Sequence, residues 1–181
     1  CKGLKSFSDA TWCLKAMGGP TALGLSSGNE AHDIWGEKLS RGHRVPTRFY
    51  NCFIDPETAE DGTPYELISS CLGPETAEAD TRSYEALDAV LADRPALSVH
   101  LRLDTEVSGW SVFDKLLESD ELQGKLRTLD VDFHLANKAS FDTEIMDLSE
   151  QDLLDHQVKV MEKLLKHFHV VGSTLEVYRM G

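Results

Sequence analysis

Asp104 and Glu106 follow directly on an apolar alternation, and two carboxylates placed there can hold a ligand. The alternation is Val99, Leu101 and Leu103 between His100 and Arg102, which is the period of a strand. After the acids, Trp110, Phe113, Leu116 and Leu117 recur at helical spacing. The acids therefore fall on a strand-to-helix turn, where open α/β sheets bind ligands. The structural alternative is a solvated turn and helix cap, because acids favour helix N-termini. In Gly24-Leu-Ser-Ser-Gly28-Asn29-Glu30, glycines, Ser26 and Asn29 stand between a short apolar run and a helical one. Glycine lets a backbone approach a ligand closely, and a helix N-terminus attracts an anion. The alternative there is a plain turn with Ser27 or Asn29 as N-cap. Asp55 closes the run Arg48–Ile54, and an ionised carboxylate suits the cis-diol of a ribose. Its alternative is an Asp-Pro turn. Phe133 and His134 stand near the end of the run Leu126–Leu135.

Positioning these residues takes alternating strands and helices. Thr21–Leu25, Arg48–Ile54, Tyr65–Leu72, Leu97–Leu103 and Leu126–Leu135 read as five strands in order. Glu30–Arg41 reads as a helix with Ile34, Trp35 and Leu39 on one face. Arg82–Leu91 reads as another, with Tyr84, Leu87, Val90 and Leu91 on one face. Trp110–Leu117 and Leu153–His167 follow, the last with Val158, Met161, Leu164 and Leu165 inward. Phe168–Tyr178 is strand-rich, and residues 1–20 form a helical or irregular extension. Residues 56–64 read as a loop, and residues 136–150 as a longer one, either a lid over the carboxyl edge or a surface excursion. The pattern predicts one α/β domain over residues 1–181, a doubly wound, mostly parallel Rossmann-like sheet with helices on both faces. Under strand order 3-2-1-4-5, the first and fourth strands flank the switch point. The glycine turn, Asp55 and the Asp104/Glu106 turn then converge on one crevice.

Composition narrows the partners. With 181 residues, 41% of them hydrophobic, the chain can bury one sizeable core. A formal net charge of −13 opposes a nucleic-acid backbone or an anionic membrane surface as a general partner. No apolar run reaches the length of a transmembrane segment. The chain opens at Cys1 without an initiator methionine, as a processed product, an excised domain or a partial sequence would. No targeting peptide is visible in it, and removal of one would leave an organellar or secretory product. Cys1, Cys13, Cys52 and Cys71 form no CxxC pair and no zinc-like spacing with histidine. Cys52 and Cys71 sit in apolar runs and read as buried free thiols, while Cys1–Cys13 is a disulfide if the compartment oxidises thiols.

Four stretches resemble class I S-adenosylmethionine-dependent methyltransferases of the FkbM and methyltransferase-like protein 24 type. They are Ala22–Trp35 with its glycine turn, Asn51–Pro56 ending in Asp-Pro, Leu101–Trp110 with Asp-x-Glu before Trp, and Leu129–His134. The resemblance spans roughly Thr21 to Val171. It implies that Gly24, Ser26, Gly28 and Asn29 line the methionine end of the cofactor and that Asp55 binds the ribose. It also implies that Asp104, Glu106 and His134 sit at the methyl-transfer crevice, with His134 as a base or a group orienting the acceptor; the alternative for His134 is a satisfied core or strand-end histidine. Several departures bear on activity, among them Gly109 where the family has an acid before Trp110 and Asp132 where its fifth strand has Glu. The family's Glu-Gly is Glu106-Val107, with the glycine delayed to Gly109, and its Lys is Arg102. The chain also ends near the sixth strand, where an antiparallel seventh normally follows.

Two functions follow. One is S-adenosylmethionine-dependent methyl transfer to an oxygen or nitrogen acceptor on a small molecule, sugar or protein. The other is a non-catalytic methyltransferase-like subunit of a larger, organellar membrane complex, with a protein partner covering an open sheet edge. A scaffold fills the cofactor site with its own side chains, such as Trp35 or Tyr65. A nucleotide-binding dehydrogenase module is a weaker third option, since GxGxxG is absent.

Overall fold

The computed structural model describes residues 3–7, 10–17, 19, 22–55, 62–79, 81–104, 109–135 and 148–173. Its centre is a parallel sheet of β3 (Leu23–Ser27), β4 (Thr47–Tyr50), β5 (Glu66–Ile68), β9 (Val99–Asp104) and β10 (Leu126–Asp132). The order is β10-β9-β3-β4-β5, which is the expected 3-2-1-4-5 arrangement. Every residue of β3 and β9 is buried, as befits central parallel strands covered on both faces.

The two faces differ in chemistry. Leu23, Leu25, Leu101 and Leu103 enter one apolar cluster. It includes Leu87 and Leu91 of α2 (Leu87–Leu91), Phe113 and Leu116 of α3 (Ser111–Leu117), and Leu122 of α4 (Asp120–Lys125). Leu153, Val160 and Leu164 of α5 (Glu150–His167) complete it. On the alternate residues the sheet is polar: Ser26, His100, Arg102 and Asp104 are all buried. Here α1 (Ile34–His43) packs against β3 and β4. Gly24 permits that approach, since a Cβ on it would press into Leu39 and Thr47. Trp35 and Leu39 of α1 form a second cluster with Trp12, Ala22 and Val45.

Several expectations need correction. The extension at the N-terminus is an antiparallel hairpin of β1 (Leu4–Phe7) and β2 (Ala10–Cys13), with neither strand helical. The expected third strand breaks at Ser69–Ser70, and its second part, β6 (Cys71–Gly73), joins a separate sheet. The first half of the expected helix Arg82–Leu91 is β8 (Arg82–Ala86), which pairs with β6 and with β7 (Ala77–Ala79). Cross-strand pairing outweighs a helical spacing there, and Thr81, at φ 68°, makes the turn into β8. In α5 the buried residues are Leu153, Gln157, Val160 and Leu164, whereas Val158 and Leu165 are 52% and 60% exposed. The helix carries two apolar stripes, and the His156–Asp114 pair at 3.2 Å joins it to α3 in this rotation. Residues 168–173 form no strand, and 174–178 lie outside the described residues. Among those described, no helix is long and apolar enough to cross a membrane.

Cys52 and Cys71 are bonded to each other and are not free thiols. The bridge joins the turn after β4 to β6 across 19 residues, a closure worth about 3 kcal/mol in the chain-entropy account. Such a bridge holds in an oxidising compartment and opens in a reducing one. Cys13 is also disulfide-bonded, while Cys1 lies outside the described residues.

His100 sets an acid limit on this fold. Its ring is fully buried, with Nδ1 2.8 Å from the Thr128 hydroxyl on β10. Burial, reinforced by Arg127 and His43, pushes the imidazole down to about 4 from the usual 6.5. The unfolded chain therefore binds more protons than the folded one between these values. The stability this residue contributes is complete above pH 6.5 and falls as the pH drops toward 4, by about 3 kcal/mol in all. Urea unfolding of wild type and His100→Gln should diverge in slope against pH across that window. Parallel curves would show that His100 does not govern it.

Candidate functional site

At the carboxyl edge, β3 runs into the turn Gly28-Asn29-Glu30. Two bonds fasten this turn to the end of β4: the Gly28 amide donates to the Tyr50 carbonyl at 3.3 Å, and Asn51 Nδ2 donates to the Glu30 carbonyl at 3.0 Å. Asn51 Oδ1 also accepts from the Phe53 amide. This double role ends β4 at Tyr50 and folds residues 51–55 into a turn, so Asp55 is exposed on that turn, beyond the strand end where it was expected. The Cys52–Cys71 bridge and Arg82, stacked 4.7 Å over the Phe53 ring, hold the turn down.

The cap of α1 is Asp33, in place of Ser27 or Asn29. Its Oδ1 accepts from the Gly36 amide at 2.9 Å. Burial pushes the Asp33 carboxyl up, against the opposing pull of that bond and of nearby Arg102. Arg102, on β9 in register with Ser26, is itself mostly buried, and its Nη2 lies 3.8 Å from Glu30 Oε1. The Glu30 carboxylate folds back over the turn so closely that a Cβ on Gly28 would collide with it. Sequence reasoning passed over Glu30, Asp33 and Arg102, although a basic residue amid a buried strand was the available signal.

Asp104 ends β9 and is 4% exposed. It lies in register with Asp132 of β10, and His134 follows two residues later. His134 Nε2 is 3.1 Å from Asp104 Oδ1, with about a third of the imidazole exposed. The intervening Phe133 stacks on Trp110, ring centroids 5.3 Å apart, and packs at a tilt against Phe113 at 5.8 Å. With that ring anchored in the apolar layer, the next side chain turns toward Asp104. A buried carboxylate beside a partly exposed imidazole is an arrangement that can accept a proton and stabilise the cation formed.

The structure thus brings together the glycine turn, Asp104 and His134 at adjacent strand ends. Ser26 lies beneath them, and Asn29 is exposed on the turn. Gly24 lies deeper in β3, where it serves the packing of α1. Glu106 falls outside the described residues. Beside the turn, Ala31, His32, Phe49, Ile54, Thr63, Tyr65 and Leu67 enclose a cavity of about 20 Å³, roughly one water's worth. Tyr65 accepts a bond there from the Asp33 amide and packs edge-on against Phe49. Trp35 is engaged elsewhere, donating to Asp130 at 3.1 Å and packing against Trp12. A larger open groove, about 630 Å³ between α2, α3 and α4, contains none of the candidate residues.

No protein-family model, curated protein or solved structure matches this chain.

Proposed function

We propose that this protein binds S-adenosylmethionine at the switch point between β3 and β9 and transfers its methyl group to a hydroxyl or amine acceptor. The observation that carries the reading is the convergence of the Gly28 turn with the Asp104–His134 pair on that one edge. The residues present suit the group: Gly28 admits a close backbone approach, the exposed Asp55 can accept both hydroxyls of a ribose, and Arg102 offers a cation to a carboxylate. The cofactor, when bound, supplies an activated methyl on sulfur. The chain's own part is positioning and proton removal. His134 takes the proton from the acceptor, and Asp104 stabilises the resulting imidazolium across the 3.1 Å contact.

Calorimetric titration of the folded protein with S-adenosylhomocysteine tests this. Micromolar binding is expected, weakened at least about tenfold by Asp55→Ala with little change in stability. Absence of binding by the folded chain would overturn the reading. The second reading, a non-catalytic subunit, has its own observation in Glu30, which covers the Gly28 turn, and in β10, which among the described residues pairs only with β9.

A further inference from the structure

We infer that Glu30 is a built-in competitor for the ligand's carboxylate: it covers the Gly28 turn and pairs with Arg102, and a ligand must displace it to place its own anionic group on that guanidinium. The inference rests on the adenosyl-amino-acid reading above and deepens it. Arg102 is fixed, because its side chain is 11% exposed and its backbone lies in an inner strand of the sheet, between Ser26 of β3 and Asp130 of β10. Glu30 is not fixed in this way: its side chain is 46% exposed, follows a glycine turn, and meets Arg102 at 3.8 Å. An ion pair this long and this open to water contributes little, so rotating Glu30 outward costs little. The same carboxylate is what a Cβ at Gly28 would strike, so it occupies the space into which a ligand at the glycine turn must come. Two carboxylates cannot share that space beside one guanidinium without repulsion. The buried Ser26 hydroxyl and the buried Asp33 carboxyl, close enough to influence each other, lie on the same polar side of the sheet. They leave this side polar enough to receive a charged group, where an apolar one would be penalised.

The cation in the pair selects a class of ligand, one with a carboxylate at the end that meets the glycine turn. The test compares S-adenosylhomocysteine, which has that group, with 5′-methylthioadenosine, which does not, by calorimetry on wild type, Glu30→Gln and Arg102→Gln. Glu30→Gln should tighten S-adenosylhomocysteine about fivefold, the loss of one nearby like charge, and leave methylthioadenosine unchanged. Arg102→Gln should weaken the first and not the second. Arg102→Lys, which keeps the charge in the buried strand, should retain most of the affinity if Arg102→Gln fails to fold. If S-adenosylhomocysteine binds but Glu30→Gln changes neither ligand, or changes both alike, the competitor is overturned and the cofactor reading stands. If neither compound binds wild type or Glu30→Gln, both are overturned.

Discussion

Trp110→Ala lowers the unfolding free energy by about 3–5 kcal/mol, a large share of the roughly 5–15 kcal/mol that holds a domain of this size together. The indole is 1% exposed and sits where three structural layers meet. It begins the turn into α3, stacks on Phe133 beyond β10, and contacts Phe113 at 6.1 Å. Removing it deletes the largest fully buried side chain and leaves a cavity lined by rings that cannot collapse without moving the end of β10. The aromatic pairs add about 0.5–1.5 kcal/mol beyond burial, so Trp110→Phe should recover part of the loss. Urea unfolding followed by circular dichroism measures both, with Leu165→Ala as a comparison. Leu165 is 60% exposed, and its truncation should fall within about 0.5 kcal/mol of wild type. A Trp110→Ala loss below about 1 kcal/mol would show that the aromatic cluster is not the keystone of this layer.

The contrast between Trp110 and Leu165 also shows where the sequence was legible. Val99, Leu101 and Leu103 could be read as a strand because they alternate with His100 and Arg102, a local signal. β3, β4 and β10 were legible as short runs between turn signals, although β10, at the sheet edge, is only partly buried, and once these four stand in chain order, few topologies remain open to right-handed crossovers. β8 was not legible. Its Tyr84–Leu87–Val90 spacing suits a helix, and only pairing with β6 and β7, set by distant chain, makes it a strand. In α5 two apolar stripes compete, and nothing within the helix says that Leu153 and Val160 face inward while Val158 and Leu165 do not. The 19-residue spacing of Cys52 and Cys71 carries no pattern, because what joins them is the meeting of the turn after β4 with β6. At the site, Asp104 and His134 were legible as strand-end residues, and their pairing follows from adjacent parallel strands. Asp55 was misplaced along its strand because Asn51, which satisfies the backbone of the turn, looks in sequence like one more strand residue. The Arg102–Glu30 pair was hidden because the two lie far apart in the chain and meet only across β3 and β9.

His134→Ala should lower methyl transfer by about 10²–10⁴-fold while leaving S-adenosylhomocysteine affinity within about twofold. The split follows from the geometry. His134 lies beyond β10 and contacts Asp104, whereas the groups assigned to the cofactor lie on the turns after β3 and β4. Its loss removes a proton acceptor and leaves the adenosyl contacts in place. Asp104→Asn keeps the shape but replaces the charge that stabilises an imidazolium, and the double variant should be no slower than the single His134→Ala, because the two residues act as one unit. The acceptor decides how large the effect is. A hydroxyl needs its proton removed as the new bond forms, whereas a neutral amine attacks through its lone pair and sheds its proton afterwards. Formation of S-adenosylhomocysteine from S-adenosylmethionine, followed with matched hydroxyl and amine acceptors, therefore separates the roles. A loss confined to hydroxyl acceptors would assign His134 as the base, and equal losses for both would assign it to holding the acceptor. Unchanged rates for both would return the Asp104–His134 pair to a purely structural clasp between the ends of β9 and β10.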